Sequence, residues 1–280
     1  MRPAQRSRTI EIPVIMRALH QTLHEEPKIL TDPIAPRLID ADDDRRWLAP
    51  MLSHPFAKQW RGGFAVRARY AEDCLGERVQ SGVRQYVVLG SGLDSFAYRQ
   101  PRWASSLRIY EVDHQITQRW KRDRLKTAGI AIPSNLTFVS TDFESGSLSN
   151  SLRAAGFTFD TLTLCSWMGL PSTLPPQLSK PRFVLSLPFL SEIVFSFILP
   201  QAEVSGVEAE ALLIAAQRAA EVGEPWLARF RADELAMKLR SMGFSQMVHL
   251  TPDDAARRYF RDRQDGLRER RGEQLMRAIV

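Results

Sequence analysis

The stretch that decides the fold is Tyr86-Val-Val-Leu-Gly-Ser-Gly-Leu-Asp-Ser95, in which an apolar β-type run ends in a Gly-x-Gly turn. A second run of this kind, Ile109-Tyr-Glu-Val-Asp113, follows it and ends in two acids. Two successive strands that end in this way are typical of the nucleotide-binding half of an α/β domain. Glycines let the backbone approach a ligand closely, and an acid at the tip of the second strand accepts hydrogen bonds from ribose hydroxyls. The sequence therefore predicts a nucleoside site where these two strands end.

The glycine turn also lacks features that other nucleotide sites need. A dinucleotide fingerprint has a third glycine that seats a pyrophosphate on the helix N-terminus, and position 95 here is Ser. No P-loop Gly-Lys-Ser/Thr occurs in the chain. A ligand that contains ribose but no phosphate fits better, and S-adenosylmethionine (SAM) is the common ligand of that kind. The predicted cofactor is SAM, with S-adenosylhomocysteine (SAH) as its product.

Composition places the chain among ordinary globular proteins. Its 280 residues are 44% hydrophobic and 25% charged, which is enough for one large domain or two small ones. No apolar run reaches the length of about 18 residues that a membrane span needs, and the basic first residues lack the apolar core of a secretory signal. Cys74 and Cys165 are too few for a disulfide framework or a Cys-rich zinc site. We expect a cytoplasmic protein that has no membrane partner.

A net charge of +6 raises the question of an acidic partner. Much of the positive charge lies at residues 257–271, where arginines alternate with aspartate and glutamate, as on a solvated helical face. No aromatic residues interleave with a basic groove, so we expect no nucleic-acid partner. The histidines show no spacing with Cys, Asp or Glu that suits a metal, and no metal site is predicted. The oligomeric state is not readable from the sequence.

The pattern of apolar residues divides the chain near residue 83. Residues 1–83 carry helical periodicity, over 10–23 and 55–78, and form a predicted helical N-terminal cap. Residues 84–280 alternate between strands and helices, which predicts an α/β core with a mostly parallel sheet and right-handed crossovers. A polar helical segment near residues 200–226 interrupts this alternation and is predicted to be a short inserted cap. The predicted strands are 84–89, 107–112, 136–140, 161–166, 192–199, 244–250 and 274–280.

These residues resemble a known family. Leu89-Gly-Ser-Gly-Leu-Asp-Ser-Phe-Ala-Tyr-Arg99 is similar to the signature of a bacterial family of SAM-dependent methyltransferases related to the leucine carboxyl methyltransferases. The resemblance covers roughly residues 60–280 and implies the class I, Rossmann-like methyltransferase fold, with a seven-stranded sheet and one antiparallel strand near its edge. Further blocks carry it: Glu111-Val-Asp113, Phe138-Val-Ser-Thr-Asp142-Phe143, Cys165-Ser-Trp-Met-Gly169, Ser191-Glu-Ile-Val-Phe195, Gly223-Glu-Pro-Trp226 and Leu275-Met-Arg277.

The resemblance implies a set of cofactor contacts in the first half of the core. Gly90 and Gly92 border the methionine moiety of SAM, and Asp113 holds the ribose hydroxyls with Glu111 beside it. We expect these two acids to point to opposite sides of their strand, so that one faces the cofactor while the other caps the helix that begins near His114. Asp94 has a competing structural reading, as a cap for a helix that starts near Ser95.

Further contacts are implied on either side of these strands. Asp142 accepts from the adenine amino group, and Phe143 packs on the ring. Arg67 clamps the carboxylate of the cofactor, for which a planar guanidinium is suited, and Arg69 is the alternative at a shifted register. Ser166 stands where better-known carboxyl methyltransferases carry a glutamate, so that contact is lost or replaced. The alternative for Arg67 is a structural role, in which it pairs with Glu72 or with another acid on a helix surface.

The predicted activity is methyl transfer from SAM to an oxygen of a small-molecule or peptide acceptor. A carboxylate has a pKa near ~4 and is already ionised at neutral pH, so it needs no general base. A hydroxyl acceptor needs one, and His114 or the acids Asp42, Asp43 and Asp44 are then the candidates. His114 also has a plain reading as a structural residue. Trp167, after the fourth strand, is either an acceptor contact or a core aromatic.

Two rival functions belong to other classes. A protein that binds SAM or a nucleotide without catalysis retains the same fold, and the loss of the glutamate at position 166 favours it. An NAD-dependent oxidoreductase shares the first two strands but is disfavoured by Ser95. Turnover of an acceptor separates the enzyme from the sensor, and a preference for NADH over SAM identifies the oxidoreductase.

Overall fold

Seven strands form a single sheet with the order β3-β2-β1-β4-β5-β7-β6. The computed structural model describes the whole chain except residues 1–10, 40–48, 50–51, 144–146, 170–180, 222–224 and 227. Strand β7 runs antiparallel to both β5 and β6, and the other pairs are parallel. The strands are β1 Gln85–Leu89, β2 Arg108–Asp113, β3 Leu136–Ser140, β4 Thr163–Trp167, β5 Glu192–Ile198, β6 Gln246–Leu250 and β7 Glu273–Ile279. The predicted mostly parallel seven-stranded sheet with one antiparallel strand near its edge is confirmed.

The strand order fixes where a ligand binds. From β1 the chain builds β2 and β3 on one side, and then crosses to β4 and β5 on the other side. In open parallel sheets, the crevice at such a reversal, beyond the carboxyl ends of the strands, is the usual ligand site. All five residues of β1 and of β4 are buried, as expected for central strands covered on both faces.

Helices cover both faces of the sheet. The predicted helices appear close to their expected places, but the stretch after the Gly-x-Gly turn forms only a short 3₁₀ turn, Phe96–Tyr98. A π-helical turn, Ala256–Phe260, which the sequence did not predict, extends α9. The helices are α1 Glu11–Leu23, α2 Ala35–Leu38, α3 Ala57–Gln80, α4 Gln115–Thr127, α5 Leu148–Ala154, α6 Pro181–Val184, α7 Gly206–Glu221, α8 Ala232–Met242 and α9 Pro252–Ala255.

Two apolar cores lie on opposite faces of the sheet. On one face, Tyr86 and Val88 of β1 pack with Tyr70 and Leu75 of the long helix α3. On the other face, Val87 packs with residues of α8 and of the chain around α6. A third cluster joins α1, α2 and the start of α3, and it includes Leu93 from the glycine turn. The N-terminal helices are therefore packed against the loop that follows β1.

Two histidines are buried in the third of these regions. His20 of α1 is fully buried, and neither ring nitrogen has a hydrogen-bond partner among the described residues. The Nε2 atom of His24 accepts from Nε of Arg61 at 3.0 Å, and its Nδ1 lies 3.4 Å from Oδ2 of Asp265. Burial lowers the pKa of His20 to about 3 and that of His24 to about 4. Both rings are therefore neutral in the folded protein at neutral pH.

His20→Leu is expected to raise stability in acid and to flatten its pH dependence. In the unfolded chain a histidine takes up a proton near its ordinary pKa of 6.5, whereas folded His20 takes one up only near pH 3. The unfolded state therefore binds more protons between these values, and the free energy of unfolding falls as pH drops through that window. Urea unfolding at pH 7.5 and 5.0 measures the slope. Part of it remains in the variant because of His24, and an unchanged slope contradicts the assignment.

Candidate functional site

The loop after β1 has a backbone conformation that allows a ligand to approach it closely. Gly90 and Gly92 have φ angles of +63° and +43°, which side-chain-bearing residues rarely adopt. The loop is anchored on β2, because the Ser91 N–H donates to the carbonyl of Val112 at 3.1 Å. The Asp94 N–H closes a turn on the Ser91 carbonyl at 2.7 Å. This places bare backbone at the crevice between β1 and β4.

Asp113 joins the glycine loop to the end of β2. Its Oδ2 accepts from the N–H of Gly92 at 2.7 Å, and its Oδ1 accepts from the N–H of His114 at 2.7 Å. Burial raises the pKa of Asp113, and these hydrogen bonds oppose that rise. Each carboxylate oxygen keeps lone pairs for a further donor. The group is therefore fixed in place and still able to accept from two ribose hydroxyls.

Glu111 has a different environment. It is fully buried and forms an ion pair with Lys121 at 2.6 Å, while the hydroxyl of Tyr98 donates to it at 3.3 Å. The expectation that Glu111 and Asp113 point to opposite sides was wrong, because residues two apart in a strand share a face. Lys121 accordingly acts on the pKa of both acids. Only Asp113 lies at the tip, beside the glycine loop.

A second acid, which the sequence did not single out, holds the same loop from the other side. Asp32 is fully buried and accepts from Nε of Arg17 at 3.0 Å and from the Ser95 hydroxyl at 2.6 Å. Nη2 of Arg17 donates in turn to the carbonyl of Leu93 at 2.8 Å. Asp32 also lies 3.4 Å from Nε of Arg99. Ser95, the residue that argues against a dinucleotide, thus ties the N-terminal cap to the glycine loop.

Arg67 lies across the crevice from Asp113, next to the end of β4. Its Nη1 is 3.0 Å from Oε1 of Glu273 at the start of β7, and its guanidinium lies 4.9 Å from the ring centroid of Phe64. A Cβ on Gly169 would be 3.0 Å from Nη2 of Arg67. The structure pairs Glu72 with Arg99. Arg67 does pair with an acid, as its structural reading allowed, but that acid is Glu273 at the start of β7.

Arg67 and its partner Glu273 are both buried, and the pKa of each is shifted from its ordinary value. Burial lowers the pKa of Arg67. Burial alone would raise the pKa of Glu273, but Arg67 and Arg270 outweigh it, and the pKa lies below its ordinary value. The hydroxyl of Ser196 supports the same carboxylate and accepts from the Gly169 N–H at 2.8 Å. The arrangement holds a buried guanidinium beside the ends of β4 and β5.

The other residues predicted to contact the cofactor or the acceptor differ in how deeply they are buried. Ser166 is buried, and its Oγ accepts from the hydroxyl of Tyr86 at 2.8 Å, so its side chain does not reach the crevice. Trp167 is 2% exposed, and its Nε1 lies 3.9 Å from the position of a Cβ on Gly90, beneath the glycine loop. Asp142 is exposed, and Phe143 packs at the edge of the second core.

Two residues near the loop have local roles. The Nδ1 of His114 accepts from the N–H of Ile116 at 3.3 Å, so His114 caps α4 itself. Asp94 accepts from the Phe96 N–H at 2.9 Å and stabilises the 3₁₀ turn, in place of the predicted helix cap. The candidate bases Asp42, Asp43 and Asp44 lie outside the described residues.

Ser91 is a candidate site residue that the sequence reasoning did not single out. It is 4% exposed, and its Oγ has no hydrogen-bond partner among the described residues. A buried hydroxyl without a partner costs free energy unless a ligand or water supplies one. Its position between Gly90 and Gly92 was the available signal. With Asp113 and Arg67, the loop offers an acceptor for ribose, a cation for a carboxylate and an unfilled hydroxyl, which together fit SAM.

No group of three or more His, Cys, Asp or Glu side chains in the described ranges is placed to hold a metal ion. Within the same part of the chain, no helix combines the length and apolar character needed to cross a bilayer.

Comparison with known proteins adds a family match. The model of the leucine carboxyl methyltransferase family matches residues 11–180. YktD of Bacillus subtilis (strain 168), which is named as a SAM-dependent methyltransferase, is 31% identical over 256 residues, covering 89% of this chain and 81% of YktD. A protein of Mycobacterium ulcerans (strain Agy99), named in the same way, is 37% identical over 117 residues, covering 41% of this chain and 37% of that protein.

One solved structure supports the fold independently. The crystal structure of a DUF574 family protein from Streptomyces avermitilis superimposes with a TM-score of 0.54 and 15% sequence identity. The superposition covers 95% of this chain and 96% of that one. At this identity the likeness supports the architecture alone.

Proposed function

The chain belongs to the leucine carboxyl methyltransferase family, has the class I fold and is a SAM-dependent methyltransferase; on that premise we propose that it methylates a carboxylate oxygen of a small-molecule or peptide acceptor. The observation that carries the cofactor part is the placement of Asp113 at the end of β2 and of Arg67 near the end of β4, on opposite sides of the glycine loop that follows β1. The proposed cofactor contacts are Arg67, Gly90, Ser91, Gly92, Asp113, Asp142 and Phe143.

The states of the nearby titratable groups favour a carboxylate acceptor. Glu111 is ion-paired with Lys121, and Glu273 with Arg67. His114 uses its Nδ1 as a helix cap. Each of these groups is committed to a partner, and an acceptor that is already ionised needs none of them as a base.

The proposed reaction is a single displacement. SAM supplies a methyl group on a positively charged sulfur. A carboxylate oxygen of the acceptor forms a bond to the methyl carbon as the carbon–sulfur bond breaks, and the electron pair of that bond stays on sulfur, giving a methyl ester and SAH. No proton moves. Asp113 and Arg67 fix the two ends of the cofactor, and well-held geometry of this kind contributes up to about 7–11 kcal/mol in favourable cases.

The proposal is tested by where the methyl group goes. The protein is incubated with methyl-labelled SAM and a panel of carboxylic acids, alcohols and amines. The expected product is a methyl ester, which releases labelled methanol in alkali, with a rate that is flat between pH 6 and 8. A product stable to alkali, or a rate that rises tenfold per pH unit, contradicts carboxylate methylation.

Arg67→Gln is expected to weaken SAH binding about 10- to 100-fold, since a charge-assisted hydrogen bond is worth about 1.5–3 kcal/mol. Arg69→Gln is the matched control on the same helix, because Arg69 pairs with Asp73 and is half exposed. Isothermal titration calorimetry with SAH measures both variants. A loss only in Arg69→Gln would move the clamp to the shifted register, and equal losses in the two variants would contradict a specific contact from Arg67.

A further inference from the structure

A cavity lies beside Arg67, between helix α3 and the ends of β6 and β7. Its apolar wall is formed by Val66, Leu250, Ala255, Phe260 and Leu275. Because β7 is antiparallel, its first residues lie at the same edge of the sheet as the carboxyl ends of β5 and β6. The cavity therefore opens at the ligand-binding edge, next to the proposed clamp for the carboxylate of SAM.

Arg270 is the polar group that this cavity leaves incompletely satisfied. Its side chain is 5% exposed and contacts Glu273 through Nη1. Its Nε is buried and has no hydrogen-bond partner among the described residues. A buried guanidinium with an unfilled donor is costly unless an anion or another acceptor completes it.

The charges in the cavity wall also leave room for an anion. Glu273 is shared by two guanidiniums, those of Arg67 and Arg270. Glu269, also in the wall, lies 3.4 Å from Nη2 of Arg271. The cluster of Arg67, Arg270 and Glu273 therefore carries one surplus positive charge, in a place where water is mostly excluded. SAH does not cancel this charge, because its amino-acid end carries an ammonium group as well as the carboxylate.

Gly63 of α3 leaves space for the side chain of Arg270. A Cβ on Gly63 would lie 2.1 Å from Cδ of Arg270, so any side chain there displaces the arginine. Glycine is unfavourable inside a helix, and the absent side chain at this position allows the guanidinium to reach the cavity.

We propose that Arg270 binds the carboxylate of the methyl acceptor, and that the acceptor is a monocarboxylic acid whose aliphatic chain occupies the apolar wall of this cavity. The inference rests on the proposed function and specifies its acceptor. One carboxylate oxygen accepts from Arg270, and the other is left to attack the methyl carbon. Arg67 and Arg270 each hold one carboxylate, and Glu273 between them keeps both guanidiniums in place.

The test uses probe ligands on the SAH-saturated protein. Straight-chain monocarboxylates of two to six carbons and their primary amides are titrated by calorimetry. We expect the best acid to bind at least tenfold more tightly than its amide. Arg270→Gln should abolish that preference while the affinity for SAH stays within twofold.

Matched variants separate the role of Arg270 from folding effects. Arg231→Gln removes the same charge from an exposed residue that does not line the cavity, and it should keep the preference for the acid. Gly63→Ala should lose the preference by displacing Arg270, whereas Gly76→Ala, on the same helix with only ordinary contact to Trp103, should keep it. Thermal melts report whether each variant folds.

Several results would overturn the assignment. These are no binding by any acid of the series, equal binding of acid and amide, or an unchanged preference in Arg270→Gln. A tenfold loss of SAH affinity in Arg270→Gln would place the residue in the cofactor site instead. The SAH titration of the wild type comes first: failure there refutes the proposed function, whereas normal SAH binding without an acid preference refutes only the role of Arg270.

Discussion

Asp113→Ala is expected to lower the affinity for SAH by about 100-fold. Hydrogen bonds to a charged group contribute about 1.5–3 kcal/mol each, and a carboxylate that grips two ribose hydroxyls loses both in this variant. A loss of about 3 kcal/mol corresponds to a factor of about 100 in the dissociation constant. The N–H groups of Gly92 and His114 also lose their acceptor, so the loop itself is loosened. Calorimetric titration with SAH measures the total effect.

A thermodynamic cycle that combines Asp113→Ala with a modified ligand separates the contact of Asp113 with the ribose from its support of the glycine loop. SAH and its 2′-deoxy analogue are titrated against the wild type and Asp113→Ala. If Asp113 holds the ribose, removing the hydroxyl costs the wild type at least tenfold and costs the variant little. Thr117→Val serves as a control, since Thr117 supports Asp113 through a side-chain hydrogen bond and is not one of the proposed cofactor contacts. An equal cost of the deoxy change in wild type and Asp113→Ala would place the ribose elsewhere.

Asp32→Ala is expected to lower the free energy of unfolding by about 3–5 kcal/mol, the usual cost of leaving a buried charge without its partner. The carboxylate accepts from Arg17 and Ser95 and from the N–H groups of Ile34 and Ala35, and all of these lose it together. Burial alone would raise the pKa of Asp32, but Arg17, Arg99 and Ser95 lower it below its ordinary value. The stabilisation is therefore present at neutral pH and lost as pH falls through the folded pKa.

Two controls place this effect at the buried cluster. Glu203→Ala removes an exposed ion pair with Arg231 and should cost about 0–1 kcal/mol. Ser95→Ala removes one of the hydrogen bonds of Asp32 and should cost about 1 kcal/mol. Urea unfolding at pH 7 measures all three variants. A cost for Asp32→Ala no larger than that for Glu203→Ala would mean that the cluster does not hold the cap to the glycine loop.

Much of the architecture was readable from local patterns. The runs that became β1, β2 and β4 are apolar and bounded by turn residues, and a buried central strand imposes that pattern on its own sequence. The antiparallel β7 came from the family resemblance, because strand direction leaves no mark in a single strand. The proposed roles of Gly90 and Asp113 follow from their positions, directly after β1 and at the end of β2.

The remaining parts of the site depend on contacts between distant segments. Asp32 and Ser95 are 63 residues apart, and nothing local to Thr31-Asp32-Pro33 reveals the bond between them. Gly63 and Arg270 meet only after α3 packs against the chain that leads into β7. Strand geometry could have predicted that Glu111 and Asp113 point to the same side of β2, since residues two apart in a strand share a face.

The most direct test of the proposed cofactor site is a crystal structure of the protein grown with SAH. The proposed site predicts the ribose hydroxyls within hydrogen-bond distance of Asp113, the homocysteine carboxylate on Arg67 and the sulfur beside Gly90. Density for SAH elsewhere, or a ribose held by a residue other than Asp113 with Arg67 still bound only to Glu273, would contradict it.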